Sequence, residues 1–235
     1  MSKKIIVVFG ATGAQGGGLA YAILNDKNSA FAVRAVTRDT GSEKAKALAA
    51  AGAEVVTADI DDLESIKRAL RGAYGAYFVT FFWDHFSPEK EYEQARHFAE
   101  AAKALGLVHI IWSTLEDTRK WVPLNDNSMP TLRNKYKVPH FDAKGEADQL
   151  FIDLGLPVTF MRASFYWDNL IYFGSGPKKG PDGNLYITFP MDDKKMAGIA
   201  AEDIGKCAYG IFKKGASLAG KTVGVSGGHL TCEEM

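Results

Sequence analysis

Three glycines near the start of the chain have the spacing of a phosphate cradle. They sit in Gly10-Ala11-Thr12-Gly13-Ala14-Gln15-Gly16, a G-x-x-G-x-x-G pattern. Glycine lets such a loop turn sharply, bring its backbone against a pyrophosphate with no Cβ in the way, and pack the next helix closely on a sheet. The first-turn amides of that helix then offer N–H groups and partial positive charge to the phosphates. Three glycines alone describe any tight turn. Here the apolar run Ile5–Phe9 precedes them and helical spacing over Leu19–Leu24 follows, so the context is that of a dinucleotide site.

The end of the next apolar run reports which dinucleotide. About 20 positions past the glycines an acidic residue would hold a ribose 2′-hydroxyl, whereas an arginine there accommodates a 2′-phosphate. Thr37-Arg38 ends this run and Asp39 follows, which favours NADP over NAD and leaves NAD open. Asp59, with Ile60 beside it, is placed to meet the adenine edge, or else to cap the helix at Leu63.

These residues need a scaffold. Short β-branched runs at Ile5–Phe9, Phe31–Thr37, Glu54–Ala58, Ala76–Phe82 and Leu107–Ser113 alternate with helical spacing at Leu19–Leu24, Glu43–Ala51, Leu63–Leu70 and Glu91–Leu105. A further helix fits His140–Leu154 and a sixth strand Val158–Arg162. Strands too apolar to alternate, separated by helices, predict an α/β fold with a doubly wound parallel sheet covered on both faces. Residues 1–155 read as the nucleotide-binding domain. Residues 156–235 read as a small, incomplete second lobe that returns to the sheet through Thr222–Val225 after a helix at Glu202–Lys213. Two long loops, Glu116–Pro139 and Phe173–Pro190, are expected to cover a binding surface, with the latter entering a strand at Leu185–Phe189. Phe165-Tyr166-Trp167 beside them either walls an apolar pocket or belongs to the core.

At this level the chain resembles the NmrA-like proteins, atypical members of the short-chain dehydrogenase/reductase superfamily. The resemblance rests on Gly10–Gly16, Arg38, Thr57-Ala58-Asp59, Val79-Thr80-Phe81-Phe82-Trp83 and His140-Phe141-Asp142-Ala143-Lys144-Gly145-Glu146. It implies NADP(H) as cofactor, with Thr80, Phe81 and Phe82 lining it and Tyr166, Trp167, Asp168 and Asn169 closing over the nicotinamide end. Ordinary members of the superfamily carry Y-x-x-x-K after the fifth strand. The lysine holds the nicotinamide ribose and lowers the tyrosine pKa, and the tyrosine moves the proton. Here the pair is His140-x-x-x-Lys144, so the lysine stands and the phenol is absent. Ser113 and Thr114 match the place of the superfamily's catalytic serine. His140, Lys144 and Ser113 are therefore candidates for chemistry, with a plain helix-start residue as the bland reading of His140. The resemblance points to an NADP(H)-binding redox sensor acting on a regulatory protein partner. The alternatives are an NADPH-dependent reductase of a small conjugated acceptor, and an inactive scaffold. A homodimer is a further expectation.

Composition narrows the rest. The chain has 235 residues, 28 Lys+Arg against 28 Asp+Glu, and 46% apolar residues. That balance, without a basic block, argues against direct nucleic-acid or anionic-membrane binding. No run approaches the roughly 18 apolar residues of a membrane span. Cys207 and Cys232 form no disulfide framework, so the cytoplasm, with the nucleus as a second site, is the expected compartment. The five histidines show no metal-ligand spacing. Gly224-Val225-Ser226-Gly227-Gly228 matches a nucleophile elbow, but the chain after it has no room for a hydrolase's acid and histidine. Tyr209-x-x-x-Lys213 is a chance Y-x-x-x-K. Thr231-Cys232-Glu233-Glu234 has the form of a capping box announcing a helix, from which a chain cut short of its natural end is expected.

Overall fold

A computed structural model describes residues 2–235. Strands and helices alternate through most of the chain: β1 (Lys4–Val8), α1 (Ala14–Asn25), β2 (Phe31–Thr37), α2 (Glu43–Ala50), β3 (Glu54–Thr57), α3 (Leu63–Leu70), β4 (Gly75–Phe78), α4 (Pro88–Leu105), β5 (His109–Thr114), α5 (Pro139–Asp153) and β6 (Val158–Ala163). The remainder comprises β7 (Phe165–Tyr166), α6 (Asn169–Tyr172), β8 (Lys178–Lys179), β9 (Leu185–Tyr186), β10 (Met196–Ile199), α7 (Ala201–Lys214), β11 (Thr222–Val225) and β12 (Gly228–Leu230).

Seven strands form one sheet in the order β11-β6-β5-β4-β1-β2-β3. Every pairing in it is parallel. Direction of winding reverses between β1 and β4, which opens a crevice at their carboxyl ends where such sheets bind ligands. The run Ile6-Val7-Val8-Phe9 is buried throughout because successive side chains feed opposite cores. Ile6 and Val8 join Leu19, Ile204 and Phe212 on the α1–α7 side, while Val7 and Phe9 join Phe78, Phe98 and Trp112 on the α3–α4–α5 side. Helices α1 and α7 approach almost backbone to backbone. A Cβ added at Gly18 would lie 3.1 Å from Glu202 Cα, and one at Gly205 would run into the Gly18–Leu19 backbone.

Several expectations shift. Helix α1 begins at Ala14, not Leu19, so its N-terminus lies inside the glycine motif. Strand β4 ends at Phe78, so Thr80–Phe82 stand beyond it, where the chain makes a short 3-10 turn over Phe82–Asp84. The Leu185–Phe189 run pairs only over Leu185–Tyr186, against β8. The helix at Leu63 is capped by Asp62, whose carboxylate accepts from the Glu64 N–H, and not by Asp59. Asp59 instead closes a turn by accepting from the Asp61 N–H at 2.9 Å. At Thr231–Glu234 both halves of the capping box form: Glu234 N–H donates to Thr231 Oγ1 at 3.2 Å and Thr231 N–H donates to Glu234 Oε2 at 2.8 Å. Among the described residues no helix is long and apolar enough to cross a membrane.

Candidate functional site

The glycine loop is shaped for close backbone approach. Gly10 has φ +63°, which favours glycine, and its N–H-to-carbonyl turn is closed by Gly13 N–H donating to Gly10 O at 2.9 Å. A Cβ at Gly16 would stand 2.8 Å from Phe9 O and 2.7 Å from the Gly10 carbonyl carbon, so only glycine fits. Gly13 heads α1 with no side-chain cap, and no acidic residue stands in the first turn. Every other helix of eight residues or more carries Asp or Glu there. The α1 terminus thus keeps its amides and partial positive charge for something outside the chain. A cleft of about 240 Å³ lined by Ala11, Thr12, Gly13, Gly17, Tyr21 and Lys44 opens beside it. The residues fit a dinucleotide diphosphate.

Behind the loop, Gln15 ties three elements together. Its amide oxygen accepts from Ser113 Oγ at 2.7 Å and from the Tyr77 hydroxyl, and its amide nitrogen donates to the Tyr166 hydroxyl. Burial pushes the Tyr166 phenol up to about 12, so it stays protonated at neutral pH. Arg38 is 82% exposed at the end of β2, where it pairs with Asp84 at 2.8 Å. An exposed pair of this kind is weak enough to yield to a phosphate. Asp59 is exposed and Ile60 half-buried on the next strand's outlet, beside the same edge.

Lys144 lies on the far side of the crevice and is buried. Its Nζ donates to Thr80 Oγ1 at 2.6 Å and lies 3.2 Å from Glu91 Oε1, 3.3 Å from Ser113 O and 3.4 Å from Thr80 O. His140, just after Pro139 at the start of α5, turns its ring into an aromatic wall instead. It lies 4.9 Å from Trp83, 5.6 Å from Phe82 and 4.9 Å from Phe141. Burial there holds the imidazole pKa below its ordinary value, so the ring is neutral at pH 7. The His140, Phe82 and Trp83 rings, with Phe86, Leu132, Arg133 and Pro139, line an open cleft of about 450 Å³. Phe86, Arg133 and Asn134 all have φ near +50°, and Arg133 Nη2 donates to Phe86 O at 3.2 Å, binding the two strained rims together.

Of the two expectations for Phe165-Tyr166-Trp167, packing is the one the rings meet. Phe165 packs edge-on to Trp167 and Phe189, and Trp167 covers Gly198, so these rings pack on one another and on β10. Of the four residues expected to close over the nicotinamide end, Tyr166 bonds to Gln15 of the glycine loop, Trp167 packs on Gly198, Asp168 accepts from the Ala201 N–H at 2.8 Å and so caps α7, and Asn169 opens α6. Phe81 is exposed and Phe82 buried at the crevice mouth. Tyr209 donates to Asp26, away from the glycine loop's Gln15 and from Lys144. Sequence reasoning missed Glu91 and His85. A signal existed: Glu91 lies on the same helical stripe as Gln94, Ala95, Phe98 and Ala102, and a lone acid within a buried stripe asks for a partner.

A doubly wound parallel sheet with a glycine loop at its reversal point defines a Rossmann-type α/β protein. The family model of the NmrA-like family matches residues 2–235, and the chain belongs to that family. It is 29% identical over 241 residues to an NmrA-like family domain-containing oxidoreductase, malD, from Malbranchea aurantiaca, spanning 99% of this chain and 71% of that protein. Among solved structures, NmrA, a negative transcriptional regulator in complex with NADP, is 25% identical with a TM-score of 0.81, over 100% of this chain and 69% of that one. An NADPH-dependent quinone oxidoreductase from Escherichia coli is also 25% identical, with a TM-score of 0.68, over 95% of this chain and 68% of that one.

Proposed function

We propose that this protein binds NADP(H) and works as a redox sensor that reports the cofactor's state to a regulatory protein partner. The observation that carries the reading is the uncapped, acid-free N-terminus of α1 behind a glycine that tolerates no Cβ. Arg38 would take the 2′-phosphate, Asp59 and Ile60 would flank the adenine, and Lys144 and Thr80 would face the nicotinamide ribose. NADP(H), when bound, supplies hydride chemistry. The chain's own groups bind and orient it, yet they offer little as an acid: His140 is neutral inside an aromatic wall, and Ser113 is committed to Gln15. Sensing requires that the surface differ between cofactor states, because a ligand shifts an equilibrium only by its differential affinity. The exposed Ile171, Tyr172, Phe173, Leu185 and Tyr186 around the β8–β9 hairpin form the surface such a partner would read. Two free cysteines suit a reducing cytoplasm or nucleus.

The aromatic cleft beside His140 favours a second reading, an NADPH-dependent reductase of a flat conjugated acceptor such as a quinone. One experiment separates them: calorimetric NADPH titration, followed by NADPH oxidation against a quinone and aldehyde panel and protease digestion with and without cofactor. Tight binding, no turnover and a cofactor-dependent digestion pattern are expected. Saturable turnover lost in Lys144→Ala or His140→Ala would establish the reductase instead, and absence of binding at millimolar NADPH would sink both.

A further inference from the structure

We infer that Glu91 is a positioning residue for the cofactor: a buried carboxylate that, with the Thr80 hydroxyl, fixes the Lys144 ammonium where the nicotinamide ribose must meet it. This rests on the NADP(H) reading above and adds to it a residue that no glycine motif or Y-x-x-x-K spacing points to.

Glu91 has no exposed surface, and Lys144 almost none. They come from different helices, α4 and α5, and meet beyond the carboxyl ends of β4 and β5. The Thr80 hydroxyl accepts from Lys144 Nζ and donates to Glu91 Oε1, both at 2.6 Å, so lysine, threonine and glutamate form one directed chain. The Trp112 indole lies on another side of the ammonium, its ring centroid 4.9 Å away. Glu91 Oε2 has no hydrogen-bond partner and faces His85 Nε2 at 3.4 Å, which has none either. His85 Nδ1 accepts from the Ser87 N–H at 3.0 Å, so in the neutral ring the proton is on Nε2, turned toward that carboxylate.

A buried charge without a counter-charge is costly, and an ion pair between two buried side chains is in general no more stabilising than apolar packing of equal volume. What the pair secures is placement. A lysine side chain is a flexible stem, and its three donors point wherever acceptors hold them. In chains with Y-x-x-x-K a phenol shares that end of the helix. Here position 140 turns its ring away into the aromatic wall, and Glu91 and the Thr80 hydroxyl, at 3.2 and 2.6 Å, orient Nζ together with the longer contacts to the Ser113 and Thr80 carbonyls. Donors held in place before the ligand arrives cost less to order on binding.

The test measures affinity, not turnover. NADPH and adenosine 2′,5′-bisphosphate, which lacks the nicotinamide riboside, are titrated by calorimetry into the full chain as wild type, Glu91→Gln, Glu91→Asp, Thr80→Val, Lys144→Ala and Glu91→Gln/Lys144→Ala. Folding of each variant is checked by near-ultraviolet circular dichroism. Glu91→Gln and Thr80→Val should each raise the NADPH Kd by about tenfold. Glu91→Asp should recover part of that loss, and the double variant should bind like Lys144→Ala alone, because one interaction is lost only once. Affinity for the bisphosphate should not change in any of them. Loss of both ligands together, or additive losses in the double variant, would show a merely structural role and overturn the inference. If Glu91→Gln fails to fold, Thr80→Val decides the question on the same two ligands. Wild type failing to take up NADPH would remove the reading beneath it, whereas wild type and Glu91→Gln binding it equally would remove this inference alone.

Discussion

Arg38 is the residue on which, in the function proposed above, cofactor choice turns. Its guanidinium is exposed at the outlet of β2 and engaged only by Asp84, an exposed pair whose loss costs little. A 2′-phosphate would gain a charge-assisted contact there that a 2′-hydroxyl cannot return. Arg38→Ala should therefore weaken NADPH by about tenfold or more and leave NADH within twofold, as read by calorimetric titration of both. Equal losses for the two would assign Arg38 to the fold and not to discrimination. The position of Arg38 at the end of β2 was legible from the sequence because the apolar run that closes at Thr37 fixes it relative to the glycines. Glu91 was legible only in part: its place in the buried stripe of α4 asks for a partner, but Thr80 after β4 and Lys144 on α5 come from distant sequence and no spacing announces them. His85 was invisible for a related reason, since its role depends on a short 3-10 turn after β4 that no periodicity announces.

Among elements, the contact between α1 and α7 is the most demanding. The first half's strand and helix spans were readable because β-branched runs and helical spacing alternate cleanly, and Phe31–Thr37, Leu63–Leu70 and Thr222–Val225 match the observed elements residue for residue. The start of α1 was misjudged because Gly16, Gly17 and Gly18 carry no apolar signal and have low helix propensity. Two of them are needed for approach: Gly16 against the loop and Gly18 against α7. No side chain lies between Gly18 and Gly205 to move aside, so Gly205→Ala must separate two backbones. It should destabilise the protein by about 3 kcal/mol or more, measured by chemical denaturation. A loss below about 1 kcal/mol would mean that the helices slide apart freely.

For the whole molecule, one contribution to the pH dependence of stability comes from a group outside the site. Asp148, on α5, accepts from Trp112 Nε1 at 3.0 Å, and burial pushes its carboxyl up to about 6 from an ordinary 3.8. The native state therefore holds a proton that the unfolded chain releases, so this contribution is complete below about pH 4 and is lost as pH rises through 6. Near pH 7 the penalty is on the order of 2 kcal/mol once the solvent that Asp148 still touches is allowed for. Asp148→Asn keeps an acceptor for the indole and removes the charge. Its Tm should exceed that of wild type at pH 7 and match it at pH 4; a rise of equal size at both would point to packing.

The grip on Gln15 also bears on how news of an occupied loop travels. Its amide is held by groups from β4, β5 and β7, so the chain's own side chains fix this part of the cradle. Tyr166 belongs to β7, which pairs with β10, which in turn pairs with β12. A dinucleotide that nudged one amide side chain would thus tug on a small separate sheet through continuous hydrogen bonds, and that sheet adjoins the segment carrying the exposed aromatic hairpin.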